Sequence, residues 1–67
     1  MSPKQLGYML RTLRERQGVT QVQLATRAKV TQAYVAQLER GTKKNPSLVI
    51  LKRLAKALNL PVTDLMG

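Results

Sequence analysis

Apolar residues recur along this chain with the period of a helix, in stretches separated by polar or helix-breaking residues. In the first stretch Leu6, Leu10 and Leu13 fall at i, i+4 and i+7, which places them on one helical face. Residues 2–5, SPKQ, match an N-terminal capping box with proline at the first helical position. Gly18 is placed to end this helix, because glycine readily adopts the left-handed conformation that follows many helices.

The second and third stretches are short, and each begins at a threonine suited to cap a helix. Thr20 and Gln23 have the spacing of a capping box, and Thr31 is a good N-cap. These signals predict helices over about residues 21–28 and 32–40. Their expected buried residues are Leu24, Ala25, Ala28, Val35 and Leu38. The short connection between the two helices is typical of a helix-turn-helix, whose second helix enters the major groove of DNA.

A fourth helix is predicted after residues 42–46, which have the composition of a loop. Ser47 is its expected N-cap, and Asn59 ends it. Its expected buried residues are Leu48, Leu51, Leu54, Ala55 and Leu58. A last helical turn is expected from Pro61 through Leu65. No stretch has the alternation of a strand, so the pattern predicts an all-α fold.

The net charge of the chain indicates which class of partner it binds. Twelve Lys and Arg against three acids give a formal net charge of +9, which favours an anionic partner such as nucleic acid or an anionic membrane surface. The membrane surface is the weaker choice, since no long amphipathic helix carries Trp or Phe. Without an apolar run near the ~20 residues of a membrane span, or a signal-peptide core, we expect a cytoplasmic protein.

The residues of an enzyme or a metal site are missing from the 67-residue chain. It has no Cys and no His, and its acids, Glu15, Glu39 and Asp64, are scattered. This argues against a disulfide, a zinc site or a general-base constellation. We therefore expect a single non-enzymatic domain over residues 1–67, without cofactor, metal or small-molecule substrate.

The segment from Thr20 to Gly41, TQVQLATRAKVTQAYVAQLERG, resembles the helix-turn-helix motif of the lambdoid phage repressor and Cro proteins. The segment from Asn45 to Leu60 is similar to that family's fourth helix. The resemblance implies a compact five-helix domain that binds double-stranded DNA as a transcriptional regulator, expected to be a repressor at a palindromic site. Two features depart from the family pattern: Lys29 stands where the turn often has glycine, and the loop over residues 42–46 is about one residue longer.

Base contacts are expected from the outer face of the third helix. With Val35 and Leu38 pointing inward, Gln32, Ala33 and Gln37 are the candidates to read base edges. Glutamine can form two hydrogen bonds to adenine, and an alanine methyl can pack on a thymine methyl. The alternative is that all three are ordinary solvated residues.

Phosphate contacts are expected from a second set: Gln21, Arg40, Lys43, Lys44, Arg11 and Tyr34. Gln21 opens the helix that crosses the DNA backbone in this motif, and the free N–H groups of a helix start suit a phosphate. The alternative for the cations is a simply solvated surface. For Tyr34 it is packing at the domain edge alone, and for Gln21 it is an ordinary preference for the start of a helix. Arg14 and Glu39 are expected to form a structural ion pair, since both lie at the edge of a buried stripe and the resemblance implies the same pairing.

Several apolar residues near the C-terminus have no clear core role: Val49, Ile50, Val62, Leu65 and Met66. We expect them to form the contact of a weak homodimer that DNA strengthens, because adjacent half-sites raise the effective concentration. The resemblance also places dimer contacts in this region. An antitoxin or a restriction–modification controller, whose role includes protein–protein contact, stays open as an alternative.

Overall fold

The computed structural model describes residues 2–43 and 46–66. Over these ranges the chain forms five helices and no strand: α1 (Pro3–Arg16), α2 (Gln21–Ala28), α3 (Gln32–Arg40), α4 (Leu48–Ala57) and α5 (Thr63–Met66). Among the described residues, no helix has both the length and the apolar content needed to cross a bilayer. The prediction of an all-α, five-helix fold is confirmed.

Side-chain caps set the starts of the first four helices. The caps are Ser2, Thr20, Thr31 and Ser47, each accepting a hydrogen bond from the backbone N–H three residues later. Gln5 and Gln23 complete two capping boxes by accepting from the backbone N–H of the cap residue, at 2.9 Å in both. Because the first four N–H groups of a helix have no partner within it, these local bonds determine where each helix begins.

Left-handed residues end the helices. Gly18 has φ +68°, and the next residue, Val19, donates its N–H to the carbonyl of Arg14 at 3.2 Å, which completes a Schellman motif. Lys29 and Asn59 also have φ 59°, although neither is glycine. A left-handed non-glycine residue costs of order 1 kcal/mol. Lys29 therefore adopts the left-handed conformation in the turn between α2 and α3, and this conformation lowers the stability of the fold by that amount.

One aliphatic core is shared by all five helices. Its largest fully buried side chains are Leu10, Leu24, Val35, Leu38, Leu54, Leu58 and Leu65. α1 packs against α3, and α2 packs against both α3 and α4. α5 packs on α1 and α4. α1 and α2 cover the face of α3 that carries Val35 and Leu38, and Gln32 and Ala33 at its start remain exposed.

Two expectations for the C-terminal half of the chain are wrong. Leu48 is 50% exposed rather than buried, because it lies in the first turn of α4 at the edge of the buried face. Leu65 is 1% exposed. It belongs to the core, since α5 docks onto α1 and α4, and its side chain is not available for a dimer contact.

Gly7 allows α1 and α3 to cross closely, which the sequence analysis did not anticipate. A Cβ atom built on this buried glycine would lie 2.6 Å from the carbonyl oxygen of Glu39 and closer still to that of Leu38. Both obstacles are backbone atoms, which cannot swing away as a flexible side chain would. The crossing of α1 over the end of α3 therefore requires glycine at this position.

Gly7→Ala is expected to destabilise the protein by about 3 kcal/mol, although alanine is favoured over glycine in a helix by about 1 kcal/mol. The steric cost exceeds the helix propensity because the two helix backbones would have to move apart. Urea unfolding followed by circular dichroism measures the change. Gly18→Ala is the control: its Cβ would meet nothing within 4 Å, so only the left-handed backbone penalty of about 1 kcal/mol applies. A neutral or stabilising Gly7→Ala would contradict the close crossing.

Candidate nucleic-acid interface

The turn between α2 and α3 is held by hydrogen bonds and by the core. Val30 donates its N–H to the carbonyl of Ala25 at 3.0 Å, and its side chain packs against the core. Ala25 is buried in the core, at 4% exposure. Thr31 then caps α3 by accepting from the N–H of Tyr34 at 3.1 Å. α3 therefore leaves the turn in a fixed direction.

The burial of Val35 and Leu38 turns the opposite side of α3 outward. Gln32 and Ala33, in its first turn, are exposed, and Gln37, one turn later, is partly exposed. These three residues are the ones expected to read bases. The structure leaves an amide, a methyl and a second amide uncovered along one short helix, which is the chemistry that pairs with adenine and thymine edges.

The chain after α3 is tied back to that helix. The carbonyl of Gln37 accepts hydrogen bonds from the N–H of Thr42 at 3.0 Å and from its hydroxyl at 3.1 Å. The Nζ of Lys43 lies 5.8 Å from the centroid of the Tyr34 ring, within the range of a cation–π interaction. Burial raises the pKa of Tyr34, so its hydroxyl keeps the proton that it could donate to a phosphate. Lys44, also expected to contact phosphate, lies outside the described residues.

A buried ion pair connects α1 to α3. Arg14 donates from Nε to Oε2 of Glu39 at 2.6 Å and from Nη2 to Oε1 at 2.9 Å, and its Nη1 donates to the carbonyl of Val19 at 2.8 Å. The two side chains are only 10% and 4% exposed. The hydrogen bond to Glu39 outweighs burial and raises the pKa of Arg14, so the guanidinium stays charged. The structure thus brings together the two residues expected to pair.

Glu39 also holds Gln21, the first residue of α2. The amide Nε2 of Gln21 donates to Oε1 of Glu39 at 3.1 Å, a contact that sequence reasoning missed because the two residues lie 18 positions apart. Beside it opens a cleft of about 250 Å³ lined by Arg11, Arg14, Gln21, Ala36, Glu39 and Arg40. Three residues expected to contact phosphate, Arg11, Gln21 and Arg40, therefore surround one cleft at the start of α2.

Only some of the apolar residues expected at a dimer contact are exposed. Val49 is 60% exposed and Met66 is 52% exposed, whereas Ile50 and Val62 are partly buried against the core. With Leu65 inside the core, the exposed part of the set is smaller than expected. Leu48, next to Val49 in the first turn of α4, adds an exposed side chain where a core residue was expected.

Two helices joined by a turn, with an uncovered polar side and cations around the start of the first helix, define a helix-turn-helix nucleic-acid-binding domain. The Helix-turn-helix family model matches residues 10–65, from the middle of α1 into α5. The chain belongs to this family. The resemblance drawn from the motif residues is thereby confirmed.

Curated relatives match most of the chain, among them a phage repressor and a bacterial transcriptional regulator. The immunity repressor protein of Bacillus phage phi105 is 37% identical over 62 residues, covering 92% of this chain and 42% of that protein. The HTH-type transcriptional regulator SlrR of Bacillus subtilis strain 168 is 35% identical over 60 residues, covering 90% of this chain and 40% of that protein. The chain thus spans less than half the length of either relative.

Solved structures share the fold closely. The restriction–modification controller protein C.AhdI from Aeromonas hydrophila superposes with a TM-score of 0.90 at 36% identity, covering 94% of each chain. SinR, a master regulator for biofilm formation solved in complex with DNA, superposes with a TM-score of 0.87 at 27% identity, covering 92% of this chain and 98% of its own.

Glu39→Ala is expected to destabilise the protein by about 3 kcal/mol, because it leaves the buried guanidinium of Arg14 without a partner. The chain provides a matched control in its exposed pair, where Arg11 Nε lies 3.4 Å from Glu15 Oε2 with both side chains more than half exposed. Glu15→Ala should cost no more than about 0.5 kcal/mol. Thermal unfolding of the two variants measures both effects, and equal losses would show that the buried pair has no special role.

Proposed function

We propose that this chain is the DNA-binding domain of a transcriptional regulator that reads a specific double-stranded sequence, acting as a repressor in the cytoplasm. The observation that carries the proposal is α3 itself. Val35 and Leu38 fix it to the core, while Gln32 and Ala33 are exposed and Gln37 is partly exposed. The phage immunity repressor and SlrR are similar over most of this chain and support the regulatory role. SinR, which was solved in complex with DNA, supports DNA as the ligand.

In this proposal α3 lies in the major groove. Gln32 and Gln37 pair with base edges, each able to offer a donor and an acceptor to adenine, and Ala33 packs against a thymine methyl. Base contacts specify the sequence, whereas phosphate contacts set the register of the protein on the duplex. Because the helix is short, few bases are read by one copy of the domain.

Phosphates of the DNA backbone are assigned to two places. One is the cleft at the start of α2, where the amide of Gln21 and the cations Arg11 and Arg40 face a helix N-terminus. Gln21 has a second amide N–H to donate after its bond to Glu39. The other place is the loop after α3, with Lys43, the neighbouring Lys44 and the hydroxyl of Tyr34.

A restriction–modification controller is a second candidate, since C.AhdI matches with 94% coverage of both chains. Selection of bound duplexes from a random pool would supply the site that either candidate recognises. A controller is then distinguished by finding that site upstream of the genes for a restriction enzyme and its methyltransferase.

Gln37→Ala is expected to change which base is preferred at one position of the site, while Lys43→Ala should weaken all sequences by a similar factor. The first residue faces a base edge, and the second faces a phosphate. Fluorescence anisotropy on a panel of single-base site variants measures both. Lys43→Ala should also reduce the slope of log K against log salt by about 1, because one phosphate contact releases close to one counterion. If Gln37→Ala lowers affinity uniformly across the panel, it does not read a base.

We further propose that two copies of the domain bind adjacent half-sites through Val49, Met66 and the partly buried Ile50 and Val62. Dimers of this motif read half-sites about one DNA turn apart. The exposed apolar surface is small, so association is weak in solution and is strengthened on DNA, where the copies are held close together. Leu48 extends the contact.

Val49→Asp is expected to lower cooperativity on a palindromic site while leaving affinity for a single half-site nearly unchanged, because a carboxylate would be buried at the two-fold contact. Gel-shift titrations on duplexes with one and two half-sites separate the two effects. Tyr8→Asp is the matched control, since Tyr8 lies on α1, is exposed, at 71%, and is assigned to neither DNA nor the dimer contact. Unaltered cooperativity in a folded Val49→Asp variant would remove Val49 from the contact.

A further inference from the structure

A second cationic surface surrounds a groove between α2 and α4. A groove of about 490 Å³ opens where the C-terminal ends of α2 and α4 meet, lined by Arg27, Ala28, Lys29, Arg53, Lys56 and Ala57. α2 packs against both α3 and α4. None of the lining residues is among those assigned to bases or phosphates, and Lys29, in the turn between α2 and α3, lies three residues before Gln32.

The four cations of this groove are not neutralised by the fold. All four are exposed, and neither of the ion pairs found within residues 2–43 and 46–66 involves them. The two helix C-termini supply about half a negative charge each. That offsets about one of the four positive charges. No acidic side chain lines the groove, so it carries a net positive potential toward solvent.

The shape of the groove favours a narrow ligand. Its apolar lining consists of two alanines, Ala28 and Ala57, with the cations around them. A DNA duplex presents its phosphates on a broad convex surface, which suits a protruding helix better than a recess between two helix ends. An extended peptide fits a recess of this kind, since carboxylates can pair with the cations while a small apolar side chain lies on the alanines.

We propose that this groove binds an acidic peptide segment of a partner protein. The carboxylates pair with Arg27, Lys29, Arg53 and Lys56, and the two arginines can each hold a carboxylate through two hydrogen bonds. Because none of these four cations is assigned to a base or a phosphate, we expect the peptide and DNA to bind at the same time. The domain thereby recruits a second protein while it occupies its site.

The test uses a fluorescein-labelled 12-residue peptide of alternating glutamate and alanine, titrated with the protein at about 0.1 M salt, where charges beyond ~10 Å are screened. The groove variant carries Arg53→Gln and Lys56→Gln. The matched control carries Lys4→Gln and Arg16→Gln, which removes two exposed cations from α1 and leaves the same net charge. The groove variant should lose about tenfold in affinity, for charge-assisted bonds at a specific site, and the control less than about twofold.

Equal losses in the two variants, or no peptide binding by the unaltered protein, would overturn the proposal and leave DNA binding untouched as a separate claim. Circular dichroism checks folding. A second groove variant, Arg27→Gln with Lys29→Gly, removes two charges while glycine suits the left-handed backbone at that position. Amide shifts at Ala28 and Ala57 in nuclear magnetic resonance spectra locate the peptide. A bound duplex that displaces the peptide would show that the groove is a nucleic-acid surface instead.

Discussion

The carboxylate of Glu39 is the point at which three helices are joined. It accepts two hydrogen bonds from Arg14 on α1 and one from Gln21 on α2, while it belongs to α3 itself. Burying two opposite charges costs several kcal/mol per ion, and their attraction offsets this only when the remaining donors and acceptors are satisfied. That condition is met: within the described residues no buried side-chain nitrogen or oxygen lacks a partner. The orientation of α3 therefore depends on this network being complete.

The same end of α3 is held sterically. Gly7 brings α1 against the carbonyl groups of Leu38 and Glu39, so a close backbone crossing and a charged network act on one turn of the helix. Its first turns, which carry Gln32 and Ala33, stay uncovered. This arrangement presents a rigid helix to a groove without covering its reading side. In the proposed complex, Glu39 also fixes the side chain of Gln21 at the start of α2. The same residue therefore positions both the phosphate contact of Gln21 and the base contacts of α3.

Two groups of cations surround two separate recesses of the domain. Cations near α3 and the start of α2 surround the cleft assigned to DNA, and those at the ends of α2 and α4 surround the second groove. A single basic surface would serve a single anionic partner. Two surfaces that share no residue could bind two partners at once, as a regulator needs if it is to hold DNA and contact another protein.

Local signals in the sequence determined most of the secondary structure. Caps and left-handed helix ends connect residues three to five positions apart, so Thr20 with Gln23 and the turn after Gly18 could be recognised without knowing the fold. The exposed face of α3 could be predicted in the same way, from the helical spacing of its buried residues Val35 and Leu38. Tertiary structure alone decided the exposure of Leu48 and Leu65, the need for glycine at position 7, the bond between Gln21 and Glu39, and the second groove. Each of these depends on which distant backbone lies nearby, and helical periodicity carries no information about that.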